Sequence, residues 1–321
     1  MAHELEMIDG VAQMAYAGET PWHGLGTKVS NDMSPVQMMQ KAGLDWTVSK
    51  VPSYVRVGDQ EIETGMEALV RSSDSKVLTQ VGGNWNPVQN EEAFEFFAEY
   101  VNAGDMEMHT AGSLKGGKMI WALAKIKESF DILGGDQVDS YLLFSNPHEY
   151  GKSIDVRFTP IRVVCNNTLS MSLNTAAVNS AKVSHRKAFD ADAVKQTMGI
   201  AHEKFAQYKE VAQFLSQRRF TAEGLIQYYN SLFPSTDAKK QVKTYSDLTT
   251  TAKRAFDVIE TQPGAQFAPG SWWQAMNSVT YLTDHELGRS TDARLTSAWF
   301  GINQTRKKKA VELAIAMADA A

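Results

Sequence analysis

YLLFSNPHEYGKSIDVRFTPIRVVCNNTLSMSL, residues 141–173, is the stretch whose reading decides the fold. Residues 141–145 are a short run of large apolar side chains and read as a strand. Asn146, Pro147 and Gly151 then break the chain. Residues 153–158 alternate, with Ile154, Val156 and Phe158 to one side and Asp155 and Arg157 to the other, which is the pattern of a half-buried hairpin partner. Thr159 before Pro160 reads as a helix start, since a hydroxyl can take an unpaired backbone donor and proline lacks an N–H where none is needed. Ile161, Val164, Cys165, Thr168, Leu169 and Leu173 recur at helical spacing, so a helix is expected to lie back across the hairpin. Arg162 falls just inside that helix. Asn166 and Asn167 fall in its middle, where asparagine is a poor former, so either they bond neighbouring backbone or they have a separate hydrogen-bonding task.

Upstream, residues 108–124 form a second hairpin around Lys115-Gly116-Gly117-Lys118, where adjacent glycines permit the positive φ of a tight turn. Lys115 and Lys118 at that tip suit a phosphate contact, although a turn kept soluble by lysines reads the same way. The segment lacks the spacing of a nucleotide-hydrolase phosphate loop. Before it, residues 46–81 read as strands with a turn at 72–75, and residues 91–101 as a helix capped by Asn90, with Ala93, Phe94, Phe97 and Val101 as its buried stripe. Ser34-Pro35 opens a shorter helix.

Downstream, residues 176–190 are small and polar and carry Lys182, His185, Arg186 and Lys187, a basic connector. From residue 191 the chain reads helical to its end. Thr221 and Ser271 open helices, Trp272, Met276, Val279 and Thr283 share a face, and Trp273 is a second, exposed aromatic candidate. Arg306 and Lys307, Lys308 and Lys309 crowd the front of the last helix against its dipole, where an external anion would offset them. The expected class is α+β: antiparallel β-hairpins packed by a helix in the N-terminal half, and a helical C-terminal half. The expected domains are 1–175, the connector 176–190 and a helical region 191–321.

Composition bounds the function. With 43% hydrophobic and 21% charged residues the 321-residue chain has the balance of a globular protein, and no apolar run or basic leader suggests a membrane or secretory segment, so a cytoplasmic location is expected. One cysteine, Cys165, excludes an internal disulfide and a multi-thiolate zinc site. A net charge of −5 argues against a uniformly basic nucleic-acid binder but allows a local basic groove. His23 beside Trp22 could ligate or catalyse, or simply pack. His148-Glu149 and Asp284-His285-Glu286 are the nearest approach to a metal or acid–base cluster, but adjacent helical residues face apart. No catalytic residue, cofactor or metal is assigned.

The strings TPWHGLG (20–26), NPVQNEEAF (86–94), TAGSLKGGKMIWALA (110–124), VRFTPIRVVCNNTL (156–169) and RLTSAWFG (294–301) together resemble a phage- and plasmid-borne family, domain-of-unknown-function family 932. That resemblance implies a mobile-element origin and no particular activity. The residues themselves point to a nucleic-acid-binding protein, a single-stranded DNA binder or annealing factor of recombination or replication, using Lys115, Lys118, Arg157, Arg162, Asn166, Asn167, Lys182, Arg186 and Lys187. A homo-oligomer built by the helical half is the expected assembly. Two other readings stand beside it: sequestration of a host protein, which the acidic balance suits, and a metal-dependent enzyme acting on nucleic acid.

Overall fold

The computed structural model describes residues 5–19, 24–131, 136–162, 167–168, 180–198, 201–237, 241–288, 294, 297–298 and 301–320. His23, Cys165 and Asn166 lie outside the described residues. The strands, numbered in chain order, are β1 (Met7–Ile8), β2 (Val11–Ala12), β3 (Met14–Ala17), β4 (Thr27–Val29), β5 (Val48–Val57), β6 (Gln60–Arg71), β7 (Val77–Val81), β8 (Met106–Leu114), β9 (Met119–Asp131), β10 (Gln137–Pro147), β11 (Ser153–Arg162), β12 (Asn167–Thr168) and β13 (Ser180–Ser184). The helices are α1 (Pro35–Lys41), α2 (Asn90–Ala103), α3 (Ala191–Met198), α4 (Ala201–Gln217), α5 (Ala222–Leu232), α6 (Thr250–Asp257), α7 (Trp272–Tyr281) and α8 (Ile302–Asp319). The class is α+β, with antiparallel hairpins and a helical C-terminal half.

The main sheet runs β12-β11-β10-β9-β8-β3-β4, with β13 also paired to β11; β5-β6-β7 form a separate three-stranded sheet. Two compact units interleave along the chain. One comprises Met1–Lys127, Tyr141–Phe158 and Ser180–Gly199; the other comprises Glu128–Ser140, Thr159–Asn179 and Ile200–Ala321.

In the first unit, α1 and α2 pack on β8. Ser34 caps α1 by accepting from the backbone N–H of Gln37, whose side chain returns the bond, and Pro35 takes the first turn. Helix α2 ends on Gly104 in the left-handed conformation. Ala93, Phe94 and Phe97 are buried as expected, and so is Phe96, which meets Phe144 of β10 at 5.4 Å between ring centroids. Residues 138–147 of β10 are buried on both faces, so its sequence reads as a continuous run rather than an alternation.

The expected helix from Pro160 to Leu173 is corrected at its start. Strand β11 continues to Arg162, and Asn167–Thr168 pairs back onto it, with Ile161 opposite Thr168 and Arg162 opposite Asn167. Among the described residues, β13 pairs with β11 up to Arg157 and β12 pairs with it from Ile161. The rest of the expected helix, residues 163–166 and 169–173, lies outside the described residues.

The second unit surrounds α7, in which residues 272–280 are all buried, with α4, α6 and α8. Thr221 and Ser271 cap α5 and α7 through their hydroxyls. Trp273 is not exposed. It is 1% accessible, and its indole N–H donates to Asp136 Oδ2 at 3.0 Å, which explains how a core position tolerates its polar atom. No helix among the described residues is long and apolar enough to cross a membrane.

Candidate nucleic-acid interface

The order of strands brings several basic turns to one end of the main sheet. Leu114 of β8 pairs with Met119 of β9, leaving Lys115 to Lys118 as the turn. Strands β9 and β10 are joined by five residues, too few for a parallel crossover, so β10 runs back and its turn into β11, residues 148–152, returns to the same end. Ser184, the last residue of β13, stands opposite Ser153, the first of β11, which places Arg186 and Lys187 there as well. The backbone N–H of His148 donates to the carbonyl of Lys118 at 2.8 Å and joins two of these turns directly.

Of the residues expected from sequence, Lys115, Lys118, Arg186 and Lys187 therefore come together. Lys152 and Lys76 join them, and neither stands in a motif that singles it out. Lys76 lies in the β6–β7 turn, and its Nζ donates to the carbonyl of Gly116 at 2.9 Å. Among the described residues, Lys115, Lys118, Lys152, Arg186 and Lys187 make no ion pair. Tyr150, in the same turn as Lys152, is 56% exposed. Glu149 is the carboxylate in that turn.

Arg157 and Lys182 stand further along the sheet. Arg157 forms a two-pronged pair with Asp155, Nε to Oδ1 at 2.6 Å and Nη2 to Oδ2 at 2.5 Å, so its charge is matched by its own strand. Lys182 is opposite Asp155 in the register and exposed, and shares that face. Arg162 and Asn167 belong to the second compact unit and are not part of this end.

The basic turns rest on a buried polar layer. Gly116 and Gly117 have φ of 64° and 92°, and Lys115 itself takes φ 54°. Below Gly117 lies Arg71, 1% accessible, held by Glu6 at 2.7 Å and by Asp74 at 2.6 Å, with its guanidinium over the Trp46 ring at 5.2 Å. The Arg71 bond holds the Asp74 carboxyl down at about 2.

Trp46 meets His148 with ring centroids 5.4 Å apart, and Trp85 stacks on His185 at 4.1 Å. Asn90 donates to the carbonyls of Leu44 and Trp46, so its oxygen is the atom facing His148 Nε2 at 3.0 Å; that nitrogen donates and Nδ1 keeps a lone pair. His185 Nδ1 donates to the carbonyl of Asn86 at 3.1 Å. Burial pushes His148 down to about 3, with the charge of His185 adding to the effect. Burial also lowers His185, against the opposing pull of the Asn86 and Pro147 carbonyls. Both rings are therefore neutral at physiological pH. His148 Nδ1, His185 Nε2, Asn146 Oδ1 and the indole nitrogens of Trp46 and Trp85 are buried and make no hydrogen bond among the described residues.

Sequence reasoning missed this layer. Its visible trace is the pair of Asn-Pro dipeptides, Asn86-Pro87 and Asn146-Pro147, which the fold brings together: the Asn146 side chain donates to Val88 O at 2.8 Å. Among the described residues no three histidine, cysteine, aspartate or glutamate side chains gather as a metal site.

The fold and this site define an α+β protein whose main sheet, antiparallel except for the β3–β4 pair, presents a rim of basic turns at one end. The chain belongs to the family described as Domain of unknown function (DUF932), whose profile matches residues 77–299, over two thirds of its length. No curated protein and no solved structure matches it.

Proposed function

We propose that this protein binds single-stranded DNA along the basic rim of its main sheet, and that it serves strand annealing in the recombination or replication of a phage or other mobile element. The observation that carries the reading is the meeting of Lys76, Lys115, Lys118, Lys152, Arg186 and Lys187, from four separate turns, at one sheet end, five of them without an ion-pair partner among the described residues. Exposed Tyr150 beside Lys152 supplies a ring on which a base can stack, a contact that tolerates any sequence. Glu149 and the negative total charge oppose the polyanion, so attraction is local and strongly screened by salt.

Fluorescence anisotropy with a labelled oligothymidylate tests this. Neutralising four to six phosphates predicts that log K falls against log salt with a slope of about −3 to −4. The charge reversals Lys115→Glu and Arg186→Glu should each weaken binding and flatten that slope by roughly 0.7. Absence of affinity for single strands at 25 mM salt removes the proposal, as does binding that ignores both reversals.

A further inference from the structure

Six of the eleven large apolar side chains that stand exposed among the described residues lie on the β5-β6-β7 sheet: Val51, Tyr54, Val55, Val57, Ile62 and Val77. The register decides which of them share a face. Val55 is opposite Ile62 and Val57 is opposite Gln60, whereas Tyr54 is opposite Glu63 and Arg56 opposite Glu61 on the other side. Val51 opposite Ala68, and Val70 opposite Val77, lie toward the base of the ribbon beyond register shifts at Pro52–Tyr54 and Leu69–Val70; the Gln80 side chain, opposite Ala68, donates to Ser53 Oγ at 2.7 Å and ties these positions to the first face. At that base the second face turns inward, with Val48, Leu69 and Arg71 buried. The outer face is thus a valine and isoleucine stripe, 43% to 62% exposed at Val51, Val55, Val57, Ile62 and Val77. Its other paired positions, Ser49, Gln60 and Gln80, carry no charge.

We propose that this face is covered by the same face of a second copy of this chain. An uncharged stripe meets no repulsion from its own image, and a two-fold pairing needs only one self-complementary patch. A charged partner would find nothing on it to read, and a polyanion would meet Asp59, Glu61 and Glu63 at the ribbon tip. The tip is a two-stranded ribbon exposed on both faces, a form that is marginal in water without a covering partner. Ten residues by two to three strands give a face of roughly 30 Å by 13 Å. A face-to-face pair therefore covers on the order of 800 Å², short of the 1,200 Å² or so of a stable complex, so the dimer is weak and reversible.

Sedimentation velocity of the full chain without nucleic acid, from about 1 to about 200 μM, measures this independently of DNA binding. The expected result is a shift from the monomer mass toward twice that mass as concentration rises. Val55→Lys with Ile62→Lys, opposite each other in the register, should hold the chain monomeric throughout at some cost in melting temperature, since like charges across a strand pair repel. Val55→Thr with Ile62→Thr, which keeps strand-forming residues in place, should weaken association several-fold. A wild-type chain that stays monomeric across the range overturns the proposal, and so does a threonine variant that dimerises as tightly as the parent.

Discussion

A methyl group at Gly117 would stand 2.7 Å from Nη1 of Arg71, at a φ of 92° that side chains rarely adopt. Gly117→Ala must therefore strain the backbone and push a buried guanidinium away from Glu6. A loss of roughly 1–3 kcal/mol in urea unfolding is expected, larger than for alanine at an open turn such as Gly58. The histidines below the rim make the fold sensitive to acid. In the folded chain His148 takes its proton only near pH 3, whereas once unfolded it does so near 6.5, so between those values the unfolded state binds more protons. Stability is full above about pH 6.5 and falls as pH drops toward 3, by at most about 1.4 kcal/mol per pH unit for this group. His185, also lowered, acts in the same direction. Melting curves from pH 7 to pH 4 should show the decline, and His148→Gln should flatten it whatever it does to stability at pH 7; an equal decline in that variant would assign the effect to other groups. None of this was legible from residue order, because His148 reads its environment through Asn90 and Trp46, far away in the chain.

Capped helices were the most legible elements, since a cap and a stop are local chemistry: Ser34, Thr221 and Ser271 act where the sequence places them, whereas the cap position of α2 is Gln89, not the expected Asn90, whose amide donates instead to the carbonyls of Leu44 and Trp46. Strand β11 was read only in part. Thr159-Pro160 suits a helix start by its local chemistry, whereas the strand is carried through it by pairing with β12 and β13, which no local pattern encodes. The front of α8 makes the same point for charge. Its cations were expected to need an external anion, yet Lys307 reaches Asp284 at 2.7 Å with both buried, Arg306 donates to Asn303, and Lys309 donates to the carbonyl of Ser231. Lys307→Met should strand the Asp284 carboxylate without its ammonium and cost about 3–5 kcal/mol. Adding Asp284→Leu should restore much of that loss in the same denaturation assay. A double variant no better than the single one would show that the pair is not the source of the cost.

At the scale of the whole molecule, the sequence suggests a helical domain that begins at residue 191, whereas the compact units are interleaved. The second unit takes Glu128–Ser140 and Thr159–Asn179 from the first half of the chain, and among those residues Asp136 accepts from the buried indole of Trp273. A fragment of residues 191–321 would keep α3 to α8 but lose that acceptor, leaving a buried N–H without Asp136 at a cost of about 1–3 kcal/mol in addition to the lost strand contacts with α7. Helical content is local and should survive in the fragment; tight packing around α7 depends on the missing strands and should not. The expected fragment is helical by far-UV circular dichroism but melts without a cooperative transition, while the full chain melts sharply. A sharp melt from residues 191–321 alone would make the C-terminal helices a domain in their own right. The distinction bears on function because the rim lies wholly in the first unit, where β13 supplies Arg186 and Lys187 from beyond residue 175. A fragment that stops at residue 175 should therefore lose both an edge strand and two of the six rim cations, and should bind oligothymidylate more weakly than one that runs to residue 199.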